Sequence, residues 1–233
     1  MRVGNWSSYE NFILSSVENH PGSARSNFMA GQLLISAVAK SERAEPKLAE
    51  AARTHLRDGI AVDPRCINCM FGLMVLELYQ GRQPGSALVA GIGAALRSGY
   101  VGPTKVSVGQ FSHLVKLQKR DGTKLPAKDF EAIFDAALEN PAWNGTGRAG
   151  IEAAYREYYE FVEQDLPSAL KHAQAAVDSW PDQWSYHMQL VRILRKLGRP
   201  DDALAALEVA APLAGNDAQQ LETAEVRNSI ELQ

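Results

Sequence analysis

The sequence has only two cysteines and five histidines, and it lacks both a long hydrophobic run and an excess of basic residues. Its longest apolar stretch, 87–96, is much shorter than the ~18 residues that a membrane-spanning helix needs. The N-terminal residues lack the hydrophobic segment of a secretory signal peptide. A formal net charge of −3 argues against a nucleic-acid partner, which would require a basic surface. These residues by themselves predict a soluble, unexported polypeptide, and any export signal would lie outside them.

Motifs for metal binding and catalysis are also missing. No two histidines lie at i and i+4 of one helix, and no second cysteine pair completes a zinc ribbon. One predicted helix carries four glutamates, which are Glu152, Glu157, Glu160 and Glu163. We expect them on the solvated face of that helix rather than in a catalytic pair, because helices of soluble proteins routinely carry such charges there. We therefore predict no enzyme activity, no metal and no cofactor.

The stretch 164–216 has the pattern of stacked helical hairpins. Two of its helices carry small or apolar residues at offsets that lie on one helix face, which are Ala169, Ala173 and Ala176 in one, and Ala203, Leu207 and Ala210 in the other. Gly198 separates two helices of this stretch, as expected of the residue at a left-handed helix end. Small residues on a shared face let neighbouring helices approach closely, so we expect the helices to pack in consecutive pairs.

This pattern resembles the tetratricopeptide repeat (TPR), a helical hairpin whose second helix carries small residues at matching offsets. Ala203, Leu207 and Ala210 match that helix, Gly198 matches the turn between helices, and Pro181 matches the closing proline of the preceding repeat. The resemblance implies an all-α fold, a right-handed α-α superhelix (TPR-like solenoid) of about five helical hairpins. Asp217 to Leu232 would form a polar terminal capping helix, which a solenoid needs.

Prolines that follow predicted helices recur about every forty residues, at Pro21, Pro64, Pro103, Pro141 and Pro181. This period is longer than the ~34 residues of a standard TPR, and the surplus falls in the loops. We predict a single domain over 1–233, with flexible joints at 99–105 and 141–150. The hairpin near Asp129 departs from the pattern, because an acid stands where the motif prefers alanine.

Cys66 and Cys69 form a Cys-x-x-Cys pair at the start of a predicted helix. One interpretation is inert packing of two small side chains, which we favour because no thioredoxin-like strand precedes the pair. A second is a structural disulfide in an oxidising compartment. A third is a redox-active pair, since a helix N-terminus lowers a thiol pKa.

The TPR resemblance also implies where a ligand would bind. In TPR arrays the first helix of each hairpin lines the concave surface, and its outward-turned positions contact the ligand. The matching positions here are Gln32, Leu76, Tyr79, Arg156, Tyr159, Met188, Arg192 and Arg195. Aromatic and arginine residues often anchor interfaces, and arginines can clamp a peptide carboxylate. An ordinary solvated face is the competing interpretation for Arg192, Arg195 and Lys196.

A second resemblance involves the N-terminal residues. Arg2-Val-Gly-Asn-Trp-Ser-Ser and the run from His20 to Arg25 are similar to a junction in large bacterial membrane proteins. In those proteins a polytopic glycosyltransferase-like or O-antigen-ligase-like domain is followed by a periplasmic C-terminal TPR domain. The resemblance implies a soluble appendage of a membrane protein for surface glycans or protein glycosylation, held to the membrane only through a missing N-terminal region.

We therefore predict a non-catalytic TPR-like scaffold that binds a protein or peptide partner on the periplasmic face of the inner membrane. Two alternatives remain, a thiol–disulfide redox factor that uses Cys66 and Cys69, and a free-standing cytoplasmic TPR adaptor. The sequence contains no signal for an oligomeric state.

Overall fold

The computed structural model describes residues 8–40, 46–98 and 104–232, which are mostly helical and contain no β-strand. The predicted all-α fold class is confirmed. The described residues form twelve α-helices, a π-helical turn and a 3-10 turn. In chain order these are α1 (Tyr9–Asn19), α2 (Ala24–Lys40), α3 (Pro46–Val62), α4 (Ile67–Tyr79), α5 (Ser86–Ser98), α6 (Thr104–Lys119), α7 (Ala127–Leu138), α8 (Gly145–Tyr158), the π-helical turn (Tyr159–Glu163), α9 (Leu166–Ser179), α10 (Trp184–Lys196), α11 (Pro200–Ala210), the 3-10 turn (Ala211–Leu213) and α12 (Asp217–Glu231).

Local sequence explains several helix ends. Ser8 and Asn216 each precede a helix and accept a hydrogen bond from the backbone N–H three residues later, at 3.1 and 3.0 Å. Asp165 caps α9 in the same way, accepting from the N–H of Ser168 at 3.2 Å. Gly198 follows α10 with φ of +68°, which agrees with the helix end predicted there.

The described helices belong to two compact units. Unit 1 holds α1–α5 and α7, and unit 2 holds α6 and α8–α12. The boundaries of unit 1 are 1–101 with 120–140, and those of unit 2 are 102–119 with 141–233. The prediction of one domain over 1–233 stays a prediction.

The structure describes the second predicted joint but only the last two residues of the first. Residues 99–103 of the first joint lie outside the described residues. In the second joint, residues from Gly145 onward form the start of α8, where Gly150 is buried against Val108.

Unit 1 is built from neighbouring helices that pack in sequence, with α2 against α3 and α4, and α4 against α5. Leu56 on α3 lies at its centre and is fully buried. A Cβ atom would come within 2.7 Å of the Leu56 side chain at Gly31 and within 2.9 Å of it at Gly72. These two glycines therefore permit α2 and α4 to approach α3 closely. Leu76 on α4 is also fully buried in unit 1.

Unit 2 shows the predicted stacking most clearly. Each helix from α8 to α11 packs against the next one along the chain, so that α11 packs against α12. In addition, α6 packs against α8. The small and apolar positions that carry the TPR resemblance are at most 1% exposed, which are Ala169, Ala173, Ala176, Ala203, Leu207 and Ala210. Because these side chains are short, the backbones of paired helices come close together.

The hairpin predicted around Asp129 is divided between the two units. Its first helix, α6, packs against α8 within unit 2, and its second helix, α7, packs against α5 within unit 1. The hairpin whose sequence departs from the repeat pattern at Asp129 thus also has its two helices packed in different units. Across the described ranges, no helix combines the length and hydrophobicity required to cross a bilayer.

Candidate functional site

A groove of about 300 Å³ lies between α10 and α12 in unit 2. Its lining consists of Trp184, Ser185, Met188, Gln189, Val191, Arg192, Arg195, Glu222 and Val226. Seven of these residues come from α10, at positions that recur with the helical period, and two come from α12. The groove therefore depends on one face of α10 and on the placement of the terminal helix beside it.

The apolar part of the groove is formed by Met188 and Val191 on α10 and by Val226 on α12. Trp184 extends this surface and also links the two helices, because its indole N–H donates to Thr223 Oγ1 at 3.2 Å. A second link joins Arg195 Nη2 to Ser229 Oγ at 2.7 Å. These two bonds link α12 to the first and last turns of α10.

Arg192 contributes an exposed positive charge to the groove lining. Its side chain is 48% exposed, and its Nη2 donates to Glu160 Oε2 at 3.3 Å. Its guanidinium carries five N–H donors, so a single long bond leaves it with donors for a ligand. Arg192 thus combines a fixed position with remaining hydrogen-bonding capacity.

Glu160 lies in the π-helical turn Tyr159–Glu163, which follows α8 without a break. Its side chain has no exposed surface. The carboxylate accepts from Lys196 Nζ at 2.8 Å, from Arg192 at 3.3 Å and from Nη1 of the buried Arg156. The turn ends at Gln164, which has φ of +56°, a left-handed conformation that is uncommon for a residue with a side chain.

Charge partners decide the ionisation of this cluster. Burial by itself would raise the pKa of Glu160, but the hydrogen bond from Lys196 and the charges of Arg156 and Arg192 together hold that pKa below its ordinary value. Burial lowers the pKa of Arg156, and the adjacent Glu160 opposes this effect. Since an arginine stays protonated in proteins, the cluster consists of one carboxylate and three cations.

Two lysine ammonium groups lie over the ring of Phe161. Its ring is 45% exposed, and the ammonium groups of Lys119 and Lys196 lie 4.4 and 5.1 Å from its centre. Cation–π attraction favours both positions. Lys119 also forms an ion pair with Glu157 at 3.0 Å.

The structure brings together only some of the eight residues predicted to line a binding groove. Met188, Arg192 and Arg195 line the groove between α10 and α12. Arg156 and Tyr159 lie in the same unit but do not line it. Arg156 is only 5% exposed and bonds to Glu160, so its expected outward orientation is wrong, and Tyr159 stacks on Tyr155 and His172. That these residues bind a partner stays a prediction.

The remaining three predicted residues belong to unit 1. Leu76 is fully buried, so its expected outward orientation is wrong: the side chain packs into the apolar core of unit 1. Gln32 is exposed on α2, and Tyr79 is half-buried on α4 with the Arg120 guanidinium 5.4 Å from its ring centre. Their assignment to a binding surface stays a prediction.

The expectation that the four glutamates lie on a solvated face is wrong for two of them. Glu160 is buried as described, and Glu152 is only 3% exposed. Glu152 accepts from His172 Nδ1 at 2.8 Å and lies 3.6 Å from Arg148. Both carboxylates are buried because charged or hydrogen-bonding partners from neighbouring turns and helices compensate them. The partners of Glu160 on α10 are more than thirty residues away in sequence, so helix periodicity could not indicate them.

Cys66 and Cys69 are joined by a disulfide at the start of α4, with 5.3 Å between their Cα atoms. The favoured interpretation of two free, packed thiols therefore does not apply. Cys66 also caps the helix, since its sulfur accepts from the N–H of Cys69 at 3.3 Å. Cys69 is fully buried against Gly59, where a Cβ atom would come within 2.6 Å of its sulfur. In the part of the chain that the structure covers, no cluster of three or more His, Cys, Asp or Glu residues is arranged to hold a metal.

Comparison with known proteins gives a likeness to solved structures only. No protein-family model matches the chain, and no curated protein matches it. Among the similar solved structures is the crystal structure of YrrB, described as a TPR protein with an unusual peptide-binding site. That similarity has a TM-score of 0.45 at 15% identity, and it covers 91% of this chain and 97% of that chain. The ligand of YrrB is a property of that protein.

Proposed function

We propose that this chain is a non-catalytic scaffold that binds a peptide segment of a protein partner in the groove between α10 and α12. The observation that carries the proposal is the combination of an apolar surface with an exposed, positioned arginine in one groove. Tryptophan and arginine are the residues that most often dominate binding energy at interfaces, and here Trp184 and Arg192 lie on the same helix face.

The dimensions of the groove suit a short segment of chain. A volume of about 300 Å³ is at the lower end for ligand pockets, and it accommodates one or two side chains of a bound peptide. The apolar residues Trp184, Met188 and Val226 would cover an aliphatic or aromatic side chain. Burying such a side chain contributes roughly 1.5–3 kcal/mol, which supports a weak to moderate, reversible interaction.

The groove lining favours binding over catalysis. It contains one carboxylate, Glu222, and one hydroxyl, Ser185, as its conventional acid–base or nucleophilic groups. Ser185 Oγ bonds to Gln183 Nε2 at 3.0 Å instead of to a general base. A nucleophile without an adjacent base is weak at neutral pH, so this lining has no activated group for acyl or phosphoryl transfer.

A peptide-display selection tests the proposal with a defined probe. The whole chain is panned against a library of random nonapeptides, in parallel with Trp184→Ala, Val226→Asp and the control Val209→Ser. Val209 is an exposed apolar residue on α11 that does not line the groove. We expect the wild type and the control to enrich the same peptides and both groove variants to lose them. Peptides retained by both groove variants, or no enrichment by the wild type, would refute the proposal.

We also propose that the chain is the periplasmic appendage of a bacterial membrane protein that handles surface glycans or glycosylates proteins. Two observations support this. The residues between Arg2 and Arg25 are similar to the junction found in such proteins, although 1–7 lie outside the described residues. The Cys66–Cys69 disulfide is of the kind that persists in an oxidising compartment.

The complete reading frame tests this second proposal. Apolar spans of about twenty residues upstream of Met1 would support it. An upstream sequence without such spans would instead favour the cytoplasmic adaptor.

A further inference from the structure

We propose that Glu160 is a positioning residue that holds Arg192 at the groove, where Arg192 contacts an acidic group of the bound peptide. This inference rests on the proposed function and adds the class of ligand, a segment that presents a carboxylate next to an apolar side chain. The groove between α10 and α12 supplies the apolar contact, and the cluster around Glu160 supplies the charge.

Positive charge exceeds negative charge around Glu160. One buried carboxylate is surrounded by three cations, which are Arg156, Arg192 and Lys196. The nearby Lys119 and Glu157 form a pair of their own and cancel. Two of the three positive charges of the cluster are therefore not balanced by a negative charge. Arg192 and Lys196 are the exposed cations of the cluster, so this excess charge lies at the surface. Glu222 on α12 also lines the groove, but with Arg192 and Arg195 the lining still carries one net positive charge. A local excess of positive charge favours an anionic ligand.

The two exposed cations, Arg192 and Lys196, differ in their position relative to the groove. Arg192 is 48% and Lys196 is 42% exposed, and both bond to Glu160. Only Arg192 also lines the groove. A carboxylate on a peptide whose apolar side chain occupies the groove would consequently meet Arg192 first. Its planar guanidinium can bind a carboxylate through two parallel hydrogen bonds, which an ammonium group cannot do.

The Glu160 carboxylate is itself held in place by the backbone and by a buried partner. The π-helical turn Tyr159–Glu163 places its carboxylate in the interior, and the buried Arg156 bonds to it from one turn earlier. Glu160 is thus a rigid acceptor to which the long side chain of Arg192 is attached. Holding Arg192 in one place before the ligand arrives lowers the conformational entropy lost on binding.

Arg195, the other arginine of the groove, has a different role in this arrangement. Its Nη2 is engaged by Ser229 on α12, and it has no bond to Glu160. We assign it to holding α12 in place.

Two small probes test the inference directly. 4-Phenylbutanoate has an apolar ring and a carboxylate, and 4-phenylbutanamide is its neutral isostere. NMR titration of the whole chain, followed at the Trp184 indole N–H, gives the affinity ratio between the two probes. We expect the acid to bind about two- to fivefold more tightly at low salt, the range measured for exposed ion pairs, and the preference to shrink as salt is added.

Three variants separate positioning from charge. Arg192→Gln and Lys196→Gln remove the same charge from the same cluster, and we expect only Arg192→Gln to bring the affinity ratio close to one. The double variant Arg156→Met with Glu160→Gln removes one positive and one negative charge, so the net charge is unchanged and no buried ion is left alone. We expect it to lose most of the preference for the acid, and Glu160→Asp to retain more of it.

The outcomes distinguish this inference from the proposed function. Equal affinity of the wild type for both probes would overturn the inference while leaving the apolar groove in place. Equal effects of Arg192→Gln and Lys196→Gln would also overturn it, because the charge alone would then explain the preference. A folded double variant with an unchanged ratio would show that Glu160 is merely structural. If neither probe shifts the Trp184 signal and no nonapeptide is enriched, the proposed function and the inference both fail.

Discussion

Units 1 and 2 each contain a buried charged side chain that gathers partners from its neighbours, and these two side chains, Arg53 and Glu160, have opposite charge. In unit 1 the buried group is Arg53, whose guanidinium donates to Glu77 at 2.8 Å, to Glu50 at 2.5 Å and to Gln80. Arg82 lies 3.7 Å from Glu77, so this cluster holds two cations and two anions. The hydrogen bond and the charge of Glu77 raise the pKa of Arg53 against the effect of burial.

In unit 2 the buried group is Glu160, and its cluster holds one anion and three cations. The comparison shows that burying a charge requires partners and does not require local neutrality. The balanced cluster of unit 1 has no excess charge to offer a ligand. The unbalanced cluster of unit 2 places its excess on Arg192, beside the groove. Four sets of variants test this difference between the two units.

Removing the buried acid of unit 2 should have the largest effect. Glu160→Ala leaves Arg156 buried without its partner, and we expect the free energy of unfolding to fall by about 3–5 kcal/mol. Arg53→Met should cost less, because Glu50 is 63% exposed and can return to water, while the less exposed Glu77 keeps Arg82 as a partner at 3.7 Å. Urea denaturation measures both. A larger loss for Arg53→Met than for Glu160→Ala would contradict this account of the two clusters.

Removing the disulfide should affect unit 1 more than unit 2. Cys66→Ser with Cys69→Ser eliminates a covalent link that closes a very short loop, which in the chain-entropy description contributes about 2 kcal/mol. Amide hydrogen exchange locates the change. We expect faster exchange in α4 and unchanged exchange in α10, and acceleration confined to α10 would be inconsistent with the position of the bond.

Filling the glycines at close helix contacts should have a smaller net effect. A Cβ atom would lie 2.7 Å from Leu56 at Gly31 in unit 1, and 2.6 Å from Val108 at Gly150 in unit 2. Overpacking costs typically 1–3 kcal/mol, and about 1 kcal/mol of helix propensity offsets part of it, so each alanine variant should lose about 1 kcal/mol. Gly91→Ala is the control, since its nearest neighbour would be 3.8 Å away. Thermal unfolding should show Gly91→Ala to be neutral or stabilised.

The acid sensitivity of unit 2 should show the smallest effect. The pKa of Glu160 is lowered in the folded chain, so its contribution to stability is present above its ordinary pKa of 4.5 and is lost as the pH falls below that value. The charge-neutral variant, Arg156→Met with Glu160→Gln, should therefore have a shallower dependence of unfolding free energy on pH below about 4.5. Identical slopes for this variant and the wild type would exclude Glu160 as a source of acid sensitivity.

The helical class and the repeat pattern of 164–216 could be predicted from local sequence patterns. Ala203 and Leu207 were predicted to face inward from their spacing alone, and both are fully buried. Helix periodicity is a local property, because positions three or four residues apart lie on one face whatever the rest of the chain does. Gly198 could be predicted for the same reason, since a left-handed helix end favours a residue without a side chain.

The surroundings of the buried Glu160 and the position of the groove depend on long-range packing. Glu160 lies four residues after Arg156, so helix spacing places both on one face, but that spacing does not show that the face is buried. The partners of Glu160 on α10 lie more than thirty residues further along the chain. The groove likewise exists because α12 packs beside α10, and no local pattern specifies that contact. Sequence spacing indicates which residues share a helix face, and long-range packing decides what that face meets.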